Sequence, residues 1–129
     1  MNALHPASHA GVALRMAIVG LTIATGWIHL TLGSPLFTLN AIGYFVAAVA
    51  MVVPIALAVR FRWFIRLGLI GYAATAIVAW FLMGPRYDVA YVAKAIEVGL
   101  IALLALEVRA YDGNPIRRIR QALRPSVGA

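Results

Sequence analysis

The stretch Asp88 to Glu107 reads DVAYVAKAIEVGLIALLALE, and it decides the fold of this chain. It has the length of a membrane-spanning helix, about 20 residues, yet it contains Lys94 and Glu97. An ionisable group inside a span costs roughly 2.5–3.5 kcal/mol on insertion scales, so such groups usually pair or face a bundle interior. Because residues three apart lie on one helical face, the stretch predicts a membrane helix with one polar side.

The composition of the whole chain indicates an integral membrane protein. Hydrophobic residues make up 64% of its 129 residues and the mean hydropathy is +0.92, whereas soluble domains are roughly 45–50% apolar. This length holds about four spans of ~20 residues. Cysteine is absent, which excludes disulfides, iron–sulfur clusters and zinc–thiolate sites. The predicted fold is therefore an all-α, integral membrane four-helix bundle.

Short turn signals separate the apolar runs. Gly33-Ser-Pro divides the first run from the second, and Gly84-Pro-Arg divides the third from the fourth. Pro54 lies inside the second run and predicts a kink, because proline removes one backbone hydrogen bond. Residues 1–111 are thus predicted to be the transmembrane bundle and residues 112–129 a basic tail. The predicted spans cover about residues 12–32, 36–59, 64–83 and 88–108.

Basic residues are distributed unevenly among the connections. All of them except Lys94 and Arg86, nine of the eleven, lie near the N-terminus, between the second and third spans, or in the tail. Cytoplasmic loops carry such an excess, so both termini are predicted to be cytoplasmic in a bacterial inner membrane. The net charge of +7 indicates contact with anionic lipids in the bilayer, and no nucleic-acid partner is predicted.

The tail is predicted to form a short, basic, amphipathic helix. Pro115 is a typical first helical residue, and Ile116, Ile119 and Leu123 fall on one helical face. A helix of this kind lies in the membrane interface and binds anionic headgroups. The predicted lipid-binding residues are Arg117, Arg118, Arg120 and Arg124.

The predicted topology brings polar and aromatic residues of all four spans to one depth. The fourth span enters from the outer side near Asp88, so a rise of 1.5 Å per residue places Lys94 about 9 Å and Glu97 about 13 Å below its start. His29 lies near the outer end of the first span. The predicted polar pocket in the outer half of the bilayer comprises His29, Asn40, Tyr44, Trp80, Tyr91, Lys94 and Glu97.

Two interpretations stay open for each charged or titratable group of this pocket. Lys94 and Glu97 form either a structural salt bridge or part of a proton or ion relay. His29 is either hydrogen-bonded to Thr25 or Asn40, or an axial ligand to haem or chlorophyll. A single histidine within the spans favours the hydrogen-bonded role. No metal site and no catalytic residue is predicted.

Small residues recur at spacings that let membrane helices approach closely. They therefore predict tight packing of the bundle. The positions are Ala13, Ala17, Gly20 and Ala24 in the first span, Gly68, Gly71 and Thr75 in the third, and Ala95 and Gly99 in the fourth.

The first span contains Arg15, Gly20 and the run Gly26-Trp-Ile-His-Leu. This pattern and the four-span layout resemble the small bacterial four-helix membrane proteins of the DoxX-like kind, and the resemblance implies a helical-bundle membrane subunit. We therefore expect a non-catalytic subunit or interaction partner of a membrane assembly, as a homo-oligomer or with other membrane subunits. The alternatives are an oligomeric small-ion or proton transporter that uses Glu97, Lys94 and His29, and a subunit that binds haem or chlorophyll through His29.

Overall fold

The computed structural model describes residues 9–84, 86–112 and 115–124, and these residues form helices and no strand. Four of these helices are long and apolar enough to cross a membrane. The predicted all-α four-helix membrane bundle is thereby confirmed. The helices are α1 His9–Thr31, α2 Pro35–Val52, α3 Ala56–Arg60, α4 Arg62–Met83, α5 Asp88–Glu107 and α6 Pro115–Leu123, and a wider π-type turn, Val108–Asp112, continues α5.

The turn between α1 and α2 follows from local backbone chemistry. Gly33 has a φ of +75°, a conformation that glycine adopts without steric cost. Ser34 then caps α2, because its hydroxyl accepts a hydrogen bond from the Phe37 backbone N–H at 3.3 Å, and Pro35 occupies the first turn of α2. The two helices therefore form an antiparallel hairpin.

The predicted second span, residues 36–59, is wrong at its C-terminal end. α2 ends at Val52, the backbone is extended at Val53 and Ile55, and α3 is a separate short helix. Pro54 lacks an N–H and disfavours helical geometry in the preceding residue, so it breaks the helix instead of kinking it. Arginine side chains donate hydrogen bonds to backbone carbonyls near the break. Arg62 Nη2 donates to the Val53 carbonyl at 2.9 Å.

Buried positions recur at alternating intervals of three and four along the spans. In α5 they are Ala90, Ala93, Glu97, Leu100, Leu104 and Glu107, and in α1 they include Ile18, Thr22, Thr25 and His29. This spacing is typical of left-handed bundles with knobs-into-holes packing. Glu97 and Glu107 are on these buried stripes, so both ionisable side chains point into the bundle and not towards lipid.

The four long helices pack in the cyclic order α1, α2, α4, α5. α1 packs closely against α2 and α5, and α4 packs against α5, whereas α2 and α4 touch least. The bundle thus has one loose seam, between α2 and α4. We call the end with the Gly33–Pro35 turn the turn end, and the opposite end, with Arg15 and Glu107, the arginine end.

Three of the predicted small residues do not bring helices together, whereas a Cβ atom at the predicted Gly99 would lie 3.8 Å from Leu21 on α1. A Cβ atom at Gly20, Gly68 or Gly71 would have open space around it, with no neighbouring atom within 4 Å. A close approach occurs at Gly26, outside the predicted set, where a Cβ atom would lie 2.9 Å from Cε1 of Phe45 on α2. Gly20 lies off the buried stripe of α1, and the α4 glycines face the loose seam.

The C-terminal helix has the predicted amphipathic form. The apolar side chains of Ile116, Ile119 and Leu123 are exposed and leave an apolar surface for the membrane interface. Arg117, Arg120 and Arg124 are exposed as well. The prediction for Arg118 falls outside the described side chains, and residues 113, 114 and 125–129 of the predicted tail fall outside the described residues. Lipid binding by this helix stays a prediction.

Candidate functional site

The buried carboxylate of Glu97 is the centre of the candidate site. Its side chain is fully buried, and its Oε2 atom accepts a hydrogen bond from Lys94 Nζ at 2.7 Å. Its Oε1 atom accepts one from the Tyr44 hydroxyl at 2.9 Å and one from Thr25 Oγ1 at 3.1 Å. One oxygen thus has a charged donor and the other has two hydroxyl donors. An ionised carboxylate needs such donors in a medium of low dielectric.

This cluster connects all four spans. Thr25 belongs to α1 and Tyr44 to α2, while Lys94 lies one turn before Glu97 on α5. Lys94 Nζ also lies 3.4 Å from the carbonyl oxygen of Ala76 on α4. Removing one partner of such a buried pair leaves an uncompensated charge, which costs about 3–5 kcal/mol. The cluster therefore fixes how the helices are arranged around Glu97.

His29 is held by its own helix. Its Nδ1 atom lies 2.8 Å from the Thr25 backbone carbonyl, and because a carbonyl only accepts, we assign the ring hydrogen to Nδ1. Its Nε2 atom then faces Glu97 Oε1 at 3.7 Å, and its ring lies between Phe37 and Tyr44. Of the two predicted hydrogen-bond partners, the structure selects Thr25 and not Asn40.

The same geometry bears on metal and cofactor ligation. An axial bond to haem or chlorophyll would use Nε2 of His29, the nitrogen that faces Glu97. Ligation through Nε2 would therefore require the Glu97 carboxylate to move away from the ring. No group of three His, Asp or Glu side chains that would hold a metal ion occurs in the described part of the chain.

Tyr72 on α4 closes one end of the site, and it was not among the residues predicted for the pocket. Its hydroxyl donates to the Asn40 backbone carbonyl on α2 at 2.9 Å, and its ring packs edge-on against Tyr44. Gly43 makes room for it, since a Cβ atom there would collide with the Tyr72 hydroxyl. The one available signal is a tyrosine within an otherwise apolar span.

A groove with a cavity volume of about 590 Å³ lies at the loose seam between α2 and α4. This volume is within the range of small-molecule sites, about 300–1,000 Å³. The α4 wall consists mainly of small residues, which leave the seam unfilled, and the α2 wall is mostly leucine and phenylalanine. His29 and Lys94 provide polar groups inside it. The walls include Leu36, Phe37, Leu39 and Asn40 on α2 and Gly68, Gly71, Thr75 and Ala79 on α4.

The structure sorts the predicted pocket residues into three positions. His29, Asn40, Trp80 and Lys94 line the groove. Tyr44 and Glu97 are fully buried beneath it. Tyr91 does not line it, because this residue lies off the buried stripe of α5 and is 51% exposed. It contacts the site only through an edge-on packing of its ring against Trp80, with ring centroids 5.2 Å apart.

A second buried carboxylate, Glu107, lies at the arginine end. It accepts from Arg15 at 2.5 Å, and Arg66 Nε lies 3.2 Å from its other oxygen. Arg15 Nη1 also donates to the Met51 carbonyl near the end of α2. The charge pattern predicts these arginines on the basic cytoplasmic side, and Glu107 was not among the predicted site residues. Its spacing from Glu97 along the three-and-four pattern was the available signal.

An apolar layer separates the two carboxylates. Glu107 lies ten positions after Glu97 on the chain, which corresponds to about 15 Å along the helix. The core at this level contains buried Ile18, Leu69, Leu100 and Leu104. Thr22 is also buried here, but its hydroxyl donates to the Ile18 carbonyl of its own helix at 2.7 Å. The two charged clusters are therefore distinct sites.

Comparisons with protein families, with curated proteins and with solved structures found no match for the chain. The resemblance to DoxX-like proteins stays a hypothesis.

We predict strong energetic coupling between Lys94 and Glu97. Lys94→Met and Glu97→Gln should each destabilise the bundle by about 3–5 kcal/mol, because each leaves its partner without a counter-charge. The double variant should be more stable than the sum of the single losses implies, since a buried pair is often exchanged for neutral groups at little net cost. Unfolding of the purified variants in detergent measures all four states of the cycle.

Additive losses in this cycle, with a coupling energy below about 0.5 kcal/mol, would contradict the described contact. The cycle also separates a structural from a functional role. If the double variant recovers both stability and ligand binding, the pair has a structural role. If it recovers stability alone, the pair has a functional role.

Proposed function

We propose that the protein is a non-catalytic membrane subunit that binds one neutral, amphipathic molecule in the groove between α2 and α4. The polar end of this molecule accepts a hydrogen bond from Lys94, and its apolar part lies along the two helices. The observation that carries the proposal is an apolar groove of about 590 Å³ that contains the Lys94 ammonium group beside buried Glu97.

The hydrogen bonds of Lys94 favour a ligand with an acceptor atom. An ammonium group has three N–H donors. One of them is used by Glu97 Oε2 and a second by the Ala76 carbonyl at 3.4 Å. The third N–H is left for a ligand. Since Lys94 lines the groove, a carbonyl, ester or ether oxygen of a bound molecule would accept it.

The charge of the site favours a neutral ligand. The positive charge of Lys94 is balanced by the negative charge of Glu97 at 2.7 Å. An anionic ligand would compete with Glu97 for Lys94 and would bring a second negative charge close to a buried carboxylate, which is costly at low dielectric. A neutral acceptor adds a hydrogen bond without disturbing the pair.

The exposed walls of the groove favour entry from the bilayer. Leu36 and Leu39 on α2 are 72% and 66% exposed, and Met83 at the end of α4 is 83% exposed. In a membrane these side chains face lipid, so a molecule dissolved in the lipid phase reaches the groove without crossing water. A lipid-soluble ligand is therefore preferred over a water-soluble one.

The apolar layer between the clusters supports binding over transport. An ion or proton pathway through Glu97, Lys94 and His29 would need polar groups that continue to the arginine end, where Glu107 lies. Buried leucine and isoleucine side chains occupy that interval in the described bundle. We therefore rank transport second. We retain the role of a subunit because the described chain outside the spans consists of turns and two short helices, α3 and α6.

We further propose that the groove lies in the outer half of a bacterial inner membrane, with both termini in the cytoplasm. The support is the charge asymmetry, because Arg15, Arg60, Arg62 and Arg66 belong to the arginine end and the groove extends to the turn end. Single cysteines test this orientation in intact cells. Ser34→Cys should react with a membrane-impermeant maleimide, whereas Asn2→Cys and Gly128→Cys should react only after lysis. Reaction of both terminal cysteines in intact cells would contradict the orientation.

Ligand binding is predicted to be visible in the fluorescence of Trp80, which lines the groove. Trp27→Phe/Trp63→Phe leaves Trp80 as the one reporter, and the methyl ester of doxyl-labelled stearic acid serves as a neutral quenching probe in detergent. We expect saturable quenching that unlabelled methyl stearate reverses. Lys94→Met/Glu97→Gln should weaken binding about tenfold, the equivalent of one charge-assisted hydrogen bond.

The matched control is Trp63→Phe/Trp80→Phe, in which Trp27 is the reporter on the outside of α1, 61% exposed. Its quenching should increase linearly with the probe and should not be reversed. Equal, non-saturable quenching of both reporters would refute the proposed site. Tighter binding of the doxyl-labelled free acid than of its ester would refute a neutral ligand.

A further inference from the structure

A second cavity, with a volume of about 540 Å³, lies at the arginine end of the bundle. It is bounded by the start of α1, the end of α2, the corner between α3 and α4, and Tyr111 of the π-type turn. Four arginines line it, and they come from three different helices: Arg15, Arg60, Arg62 and Arg66. This cavity is separate from the groove of the proposed function.

The positive charge of this cavity exceeds its negative charge. Among the described side chains, the carboxylate that faces these guanidinium groups is that of Glu107, and it is fully buried between Arg15 and Arg66. Arg62 has no carboxylate partner there, and its Nε atom is buried without a hydrogen-bond partner in the described chain. Clustered cations at low dielectric are costly unless an anion compensates them.

We propose that this cavity binds the phosphate group of an anionic phospholipid. Guanidinium groups match the oxygens of a phosphate with paired N–H donors. Arg62 gives one Nη2 hydrogen bond to the Val53 carbonyl, and its other N–H donors can bind a phosphate. Arg60 is exposed and can contribute its donors as well. The two residues lie on either side of Phe61, at the corner where a headgroup would enter.

The remaining lining indicates a lipid and not a free phosphate ion. Val12, Met16 and Val59 are 48%, 51% and 52% exposed next to the arginines, and they provide an apolar surface for acyl chains. Trp63 also lines the cavity, and tryptophan is enriched at the level of lipid headgroups. A site with arginines and apolar side chains side by side matches a molecule that joins a phosphate to hydrocarbon.

This site differs from the predicted lipid contact of α6. Arg117 and Arg120 lie on an exposed helix surface, where binding depends on overall charge and is screened by salt. Arg15 and Arg66 are instead fixed by Glu107, and Arg62 by the break at Pro54. The cavity is therefore a preformed site that holds one headgroup.

Native mass spectrometry of the purified, delipidated protein in detergent tests the proposal. The probes are phosphatidylglycerol and phosphatidylcholine with identical acyl chains. The wild type should bind one phosphatidylglycerol about tenfold more tightly than phosphatidylcholine, a difference of about one charge-assisted interaction. Arg60→Gln/Arg62→Gln should lose this preference, and Arg117→Gln/Arg120→Gln should keep it.

Thermal unfolding identifies any variant that does not fold. If the double variant does not fold, Arg60→Gln alone replaces it, because Arg60 is exposed. Inorganic phosphate at the same concentration should not displace phosphatidylglycerol. Equal binding of the two lipids by the wild type would overturn the proposal, as would a preference that survives in the cavity variants or disappears in the α6 variant. Displacement by inorganic phosphate would show that the site binds a free anion and would overturn the assignment to a lipid.

Discussion

The structure depends on the burial of one carboxylate, Glu97, in the centre of a membrane bundle. A carboxylate in that environment is tolerated only if donors surround it, and each of three helices supplies one: Thr25 from α1, Tyr44 from α2 and Lys94 from α5. In the described bundle α4 donates no side-chain hydrogen bond to Glu97, and its Ala76 carbonyl accepts one from Lys94. Together with the small residues of α4, this leaves the seam between α2 and α4 loosely packed, and the groove lies there.

Glu107 imposes the same requirement at the arginine end, with a different result. Two arginines balance its charge, and the break at Pro54 exposes carbonyls that bind Arg15 and Arg62. The cluster therefore has more cations than its carboxylate needs, whereas the cluster around Glu97 is balanced. One bundle thus contains a neutral polar site and a cationic site, separated by an apolar core layer, and the two sites suit different ligands.

Hydropathy and spacing predicted the four spans and the contact of Lys94 with Glu97, because both depend on local periodicity. The pairing of Arg15 with Glu107 joins residues 92 positions apart, and no local pattern specifies such a contact. The small residues of α4 were predicted to bring helices together, yet Gly68 and Gly71 line an open groove. A small residue permits either arrangement, and only the packing of the whole bundle decides between them. The position of Pro54 predicted a kink, but α2 ends there. The carbonyls released at this break are bound by Arg15 and Arg62, which are distant in the sequence or follow the break.

We assign Glu97 as a buried, ionised carboxylate that accepts hydrogen bonds from three helices. The chain has two glutamates, Glu97 and Glu107, so infrared spectroscopy with ¹³C-labelled glutamate observes few groups. The difference spectrum between the wild type and Lys94→Met/Glu97→Gln at neutral pH isolates Glu97. An ionised Glu97 should give a carboxylate band, without the shift on hydrogen–deuterium exchange that the band of a protonated acid shows. A protonated carboxyl band for Glu97 in the folded wild type would refute this assignment.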